Sequence, residues 1–186
     1  MKLLYFICLS PILILSQEIE SNLPIVFINT GGQTILDNPR IICQMGIINN
    51  KDGTNNSNDN FNDYNGQISI EMRGSSSQQI FPKKSYSLET QTSTGENNNI
   101  SILGLPDEND WVLYAPYSDK TLLRNSLSYE ISRKMGYYAP RTKYCEVFIN
   151  SEYMGIYVLT EKIKQDTNRV NIPEFNKTID SGGYII

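Results

Sequence analysis

Apolar and polar residues alternate along this chain in short blocks separated by polar loops. In Gly66-Gln67-Ile68-Ser69-Ile70-Glu71-Met72 the side chains of Ile68, Ile70 and Met72 fall on every second position, which predicts a strand with one buried face. Tyr86 and Leu88 continue the same alternation. Leu23 to Asn29 and Ile41 to Ile48 read as two earlier strands, joined through the Gly31-Gly32 and Asp37-Asn38-Pro39 turns. Downstream, Asp110 to Pro116 reads as a strand, and Tyr144 to Ile163 as a hairpin that turns at Asn150-Ser151-Glu152. Between them a helix is expected from Ser118 or Asp119, either of which can cap it, to Met135, with Gly136 placed for a left-handed C-terminal residue. Leu123, Leu127, Ile131 and Met135 are spaced by four and predict an apolar stripe that packs on the sheet. The fold class expected is α+β, a mainly antiparallel sheet with one principal helix against it.

Polar tracts divide these elements. Residues 49–65 are dense in Asn, Asp and Gly, and a second polar loop runs from Thr90 to Asn99; both read as solvated loops. The length of 186 residues allows one domain with a real core. Lys2 followed by the apolar run Leu3 to Leu15 fits a secretory signal peptide over 1–16, with Ser16 as the small residue before the cut, and is short for a membrane anchor. Its removal would take Lys2 with it and move the formal charge from -4 to -5. The domain proper then runs from 22 to 186. No basic patch points to nucleic acid, and the absence of His excludes His-based triads and His metal sites. An oxidising compartment would permit a Cys43–Cys145 disulfide; two buried free thiols are the other reading. Asn55, Asn99 and Asn176 stand in sequons and could carry glycans in a eukaryotic host.

Chemistry concentrates in Arg73 to Tyr86, RGSSSQQIFPKKSY. Successive N–H groups of a tight turn over Arg73, Gly74, Ser75, Ser76 and Ser77 can form an anion-binding concavity, with the serine hydroxyls as further donors. Lys84 alternates with Tyr86 and Leu88 and so shares their strand face, while Lys83 points the other way. Both lysines would also suit a solvated strand edge. The ordered blocks RGSSSQ, FPKKSY, DWVLYAP to DKTLLRN, and EYMGIYVLTEKIK resemble the CotH kinase family of atypical protein kinases, from roughly Asn22 onward. One glycine in the turn departs from the G-x-G-x-x-G form of ordinary kinases.

That resemblance implies a kinase N-lobe-like sheet with one principal helix, cut short before a second lobe. It also implies an ATP site with Mg2+ or Mn2+, completed by carboxylates beyond Ile186. Arg73 to Ser77 with Lys83 and Lys84 would hold the phosphates, Lys84 being the catalytic strand lysine and Glu130 the helix glutamate that fixes it, and Glu161 with Lys162 would lie where the chain crosses between lobes and its backbone meets adenine. Glu130 could equally pair with Lys134 on a solvated helix face. No metal ligand is assigned to this stretch. The activity implied is ATP-dependent phosphorylation of Ser or Thr on secreted or cell-surface proteins, with the stretch inactive by itself. The alternative is a catalytically silent CotH-like surface, adhesion or extracellular-assembly module.

Overall fold

The computed structural model describes residues 18–178 and 182–183, so the expected signal peptide at 1–16 lies outside the described residues. The elements follow the chain as β1 (Glu20–Ser21), β2 (Ile25–Asn29), β3 (Ile41–Ile48), β4 (Asn55–Asn56), β5 (Tyr64–Arg73), α1 (Ser76–Ile80), β6 (Ser85–Gln91), β7 (Asp110–Tyr114), α2 (Arg124–Lys134), β8 (Thr142–Ile149) and β9 (Glu152–Glu161). β1 and β4 pair only with each other. The remaining seven strands close into a barrel in the order β2-β3-β5-β6-β7-β9-β8.

Closure corrects the expected fold class. The last contact in the ring is between β2 and β8, which run parallel from Ile25 opposite Glu146 to Ile28 opposite Ile149, while every other neighbour is antiparallel. The sheet is therefore mixed and closed, not an open kinase-like lobe with a helix on one face. Alternation within a strand reveals which side chains face inward but not which distant strand the backbone meets.

Ile68, Ile70 and Leu88, marked by the alternation, point inward, and the other strands contribute every second residue in the same way. Val26 and Ile28, Met45 and Ile47, Ile68 and Ile70, Leu88, Trp111 and Leu113, Val147, Tyr157 and Leu159 are all buried in one cluster. Each large apolar side chain removed from water there stabilises the fold by about 1.5 to 3 kcal/mol. A barrel of this size is filled by its own side chains, so any ligand must sit outside it or at its ends.

The helix also departs from expectation. α2 spans only Arg124–Lys134, and its half-buried positions are Ser126, Tyr129, Ser132 and Arg133. Leu123, Leu127, Ile131 and Met135 are at least half exposed. At 3.6 residues per turn a strict spacing of four advances about 40° each step, so the series spans about 120° of the helix surface, and it is this side that faces solvent. α2 is held instead by its flanks. The Tyr144 hydroxyl donates to the Leu122 carbonyl at 2.8 Å, and the Arg133 guanidinium donates to the Ala139 and Pro140 carbonyls. Asp119 accepts N–H groups from Thr121 at 3.1 Å and Arg124 at 2.8 Å, so it fastens the entry to the helix from five residues upstream. Among the described residues no helix is long and apolar enough to cross a membrane.

Candidate functional site

β5 ends at Arg73, and Gly74 turns the chain with φ +120, a conformation that an L side chain rarely adopts. A Cβ there would also collide with the Ser77 hydroxyl. The short α1 follows, tied back by the Gln78 amide, which donates to the Gly74 carbonyl at 2.6 Å and to Asp37 at 2.7 Å.

The two lysines next in the chain separate. β6 begins at Ser85, so Lys83 and Lys84 belong to the loop and the strand alternation does not reach them. The Lys84 ammonium folds back on the loop and donates to the carbonyls of Gln78 at 2.5 Å and Phe81 at 2.7 Å. Lys83 turns toward the barrel end, donates to the Ile156 carbonyl at 2.6 Å, and lies 4.3 Å from the Tyr157 ring centre. Burial pulls the Lys83 pKa below its ordinary value, and the neighbouring Cys145 and Glu146 offset only part of that pull.

Two adjacent depressions meet beside this loop. One, of about 190 Å3, is bounded by Arg73, Gly74, Ser77, Lys83, Ser85, Tyr114 and Ser118; two cations and four hydroxyl-bearing side chains line it, and no carboxylate does. The other, of about 280 Å3, lies between the outer face of β7 and β9 and the inner side of α2, with Val112, Val158 and Ile163 as apolar walls, Thr160 and Asn125 as polar ones, and Glu161 and Lys162 as charged ones. Arg73 and Tyr114 border both. The arrangement offers a place for an anion next to a place for a flat group with both apolar and hydrogen-bonding edges.

Of the residues singled out in the sequence, Arg73, Gly74, Ser77 and Lys83 come together here, and Glu161 borders the second depression. Ser75, Ser76, Lys84 and Glu130 line neither. Glu130 lies on the exposed side of α2, where it pairs with Arg133 at 2.5 Å and Lys134 at 3.7 Å. Ser85, Tyr114 and Ser118 join the site without any sequence signal of their own, because their neighbours come from three separate segments.

The end of β9 is the most strongly charged interior point. Glu161 is fully buried and holds Arg141 at 2.6 Å and Arg169 at 3.1 Å, while the Arg141 N–H donates to it at 2.9 Å. Arg169, also fully buried, packs over the Trp111 ring at 4.9 Å and leaves Nε and Nη2 without a hydrogen-bond partner. Beside this network, Lys164 pairs with Glu108 and Asp110 at 2.7 Å each, and Lys162 pairs with Asp110 at 2.8 Å. Burial pushes the Asp110 carboxyl up, but the hydrogen bonds and charge of Lys162 and Lys164 outweigh it and hold it below the usual carboxylate range. Sequence reading missed Arg141, Arg169 and Glu108, since each is isolated along the chain.

Cys43 and Cys145 are both free and buried in the barrel, and burial raises each thiol to about 12. The sequon residue Asn55 is buried: its amide donates to the Leu23 carbonyl at 3.0 Å and accepts from the Asn50 N–H at 2.7 Å, so the folded chain leaves no room for a glycan there. Asn99 and Asn176 are exposed.

No curated protein matches the chain. Residues 70–185, more than half of its length, match the family described as CotH kinase protein. The match begins inside β5, whereas β2 and β3 upstream of it complete the same barrel. With the ordered blocks from Arg73 to Lys164 inside the matched region, the chain belongs to the CotH kinase protein family.

Proposed function

We propose that the chain holds ATP across the two adjacent depressions, as the nucleotide-binding part of a secreted or cell-surface atypical protein kinase acting on Ser or Thr of extracytoplasmic proteins. The observation that carries this reading is the depression lined by Arg73, Gly74, Ser77 and Lys83, free of carboxylates and adjacent, across Arg73 and Tyr114, to a larger one with Val112 and Val158 in its wall. Phosphoryl groups need cations and hydrogen-bond donors, and catalysis of their transfer is mostly positioning and charge compensation. The triphosphate would lie against Lys83 and Ser77, with the base toward Val112 and Val158. Mg2+ or Mn2+ is the expected companion of the nucleotide. The described residues contain no group of three or more Asp, Glu or Cys arranged to hold a metal, so no ligand and no step is assigned to it here.

Titration of ATP into the full chain, with and without Mg2+, tests the reading. Lys83→Met should weaken binding about tenfold, which corresponds to about 1.4 kcal/mol, and Arg73→Met should do the same. Lys84→Met should weaken it less and act by loosening the loop. Absence of ATP binding at millimolar nucleotide would defeat the proposal and favour a catalytically silent surface or assembly module.

A further inference from the structure

The outer face of β3, β2, β8 and β9 carries a row of aromatic rings that plays no part in the cleft. Phe27 is the register partner of Gly46 across β2 and β3, and of Phe148 across the parallel pair. The Phe27 and Phe148 rings stack at 4.8 Å with an 11° angle; Phe61 closes one end, 5.6 Å from Phe27, and Tyr153 the other, 5.3 Å from Phe148. Phe61 reaches in from the Asn-rich loop and covers Gly46. A Cβ on Gly46 would stand 2.5 Å from the ring, so the seat depends on glycine. Although held in this way, Phe61 remains 43% exposed.

Beside that ring is a depression of about 490 Å3, within the usual size of a small-ligand site, and no charged side chain lines it. Its rim includes the Gly31-Gly32 turn and the exposed amides of Asn29, Gln44 and Asn65. Among the described residues the Gln44 and Asn65 amides make no hydrogen bond, and Asn29 uses only its oxygen, which accepts the Gly31 N–H at 2.9 Å. Gln44 and Asn65 also border a second depression, of about 450 Å3, that leads toward Gln67 and Gln91. Its one carboxylate, Asp63, is already engaged by the Leu103 N–H and the Asn49 amide.

We propose that this groove binds a neutral saccharide chain, with Phe61 as the platform under a sugar ring and Asn29, Gln44 and Asn65 bonding its hydroxyls. An aromatic face is the negative end of a quadrupole and meets the polarised C–H groups of a sugar ring. An amide both donates and accepts, as a hydroxyl does, so the two free amides of Gln44 and Asn65 and the free NH2 of Asn29 can satisfy a polyol without any charge. The uncharged lining gives no hold on phosphate or on an acidic or basic peptide. An extended peptide cannot join as an added strand either, because closure of the barrel leaves β2 and β3 paired on both sides.

The test is titration of the full chain with cellohexaose, mannohexaose and chitohexaose, followed by calorimetry and by saturation-transfer NMR, with a neutral Gly/Ser hexapeptide in parallel. At least one saccharide should bind with Kd of about 1 mM or tighter, and Phe61→Ala should weaken it by about tenfold or more. Gln44→Ala, on an exposed side chain that carries no packing, should weaken binding several-fold and serves if Phe61→Ala disturbs the fold. The proposal is overturned by no saccharide binding, by binding unchanged in both variants, or by preference for the peptide.

Discussion

Replacing Glu161 with Gln isolates what the charge network at the end of β9 contributes. The carboxylate is fully buried and is the shared partner of Arg141 at 2.6 Å and Arg169 at 3.1 Å. A glutamine amide in its place would keep the shape and one acceptor but leave two guanidinium groups without their counter-charge, one of them with no exposure to water at all. Removing one member of a buried ion pair costs about 3 to 5 kcal/mol, because the remaining charge is stranded in a medium that solvates it poorly. For a chain of this length each kcal/mol lowers the melting temperature by about 2 to 4 °C, so the expected fall is about 6 to 20 °C. Thermal melts followed by circular dichroism, with urea titration for the free energy, make the measurement. Glu130→Gln, on an exposed pair, is the control and should leave the melt where it was. Glu161→Met combined with Arg169→Met should lose less than the sum of the two single changes, since the two residues share one interaction. A fall of less than about 1 kcal/mol for Glu161→Gln would sink the argument, because that is the scale of a solvent-screened surface pair.

Three other outcomes follow from the same structure. Burial raises the Cys43 and Cys145 thiols from 9.0 to about 12, so the folded chain keeps protons that the unfolded chain releases, and stability should fall as pH rises above 9; melts at rising pH should show a shallower decline in the Cys43→Ala/Cys145→Ala variant, and an identical slope would contradict this. Asp110, held below its ordinary value of 3.8, contributes stability that is present above that value and is lost as pH falls through its folded pKa; the acid limb of a stability profile should therefore flatten in Asp110→Asn. Leu127→Gln and Ile131→Gln change side chains that are 57% and 50% exposed, and each should alter unfolding free energy by no more than about 0.5 kcal/mol; a loss of about 2 kcal/mol in urea titration would mean that the stripe is covered.

Much of the local structure was legible in the chain. The strand over Gly66 to Met72 followed from the period of two, the strand at Ile41 to Ile48 from an apolar run bounded by turn residues, and the turn at Asn150-Ser151 is where polar residues able to take positive φ stand between two apolar runs. The ordered blocks also carried the family, as the match over 70–185 shows. Helix direction was less legible. Leu123, Leu127, Ile131 and Met135 form a regular series in sequence, yet the side of α2 that meets the barrel is set by Tyr144 and by the carbonyls of Ala139 and Pro140, which no local pattern announces.

The order of residues alone dictates which side chains of each strand point inward and which outward, because backbone pleating imposes that alternation wherever a strand forms. Long-range folding was needed to bring β2 against β8 and close the sheet, to begin the strand at Ser85 and so send Lys83 to the barrel end and Lys84 to the loop carbonyls, and to set Glu161 between Arg141 and Arg169. Each of these depends on groups distant along the chain, joined by the ring of strand pairs, and a contact of that kind leaves no periodic trace in either partner's own segment.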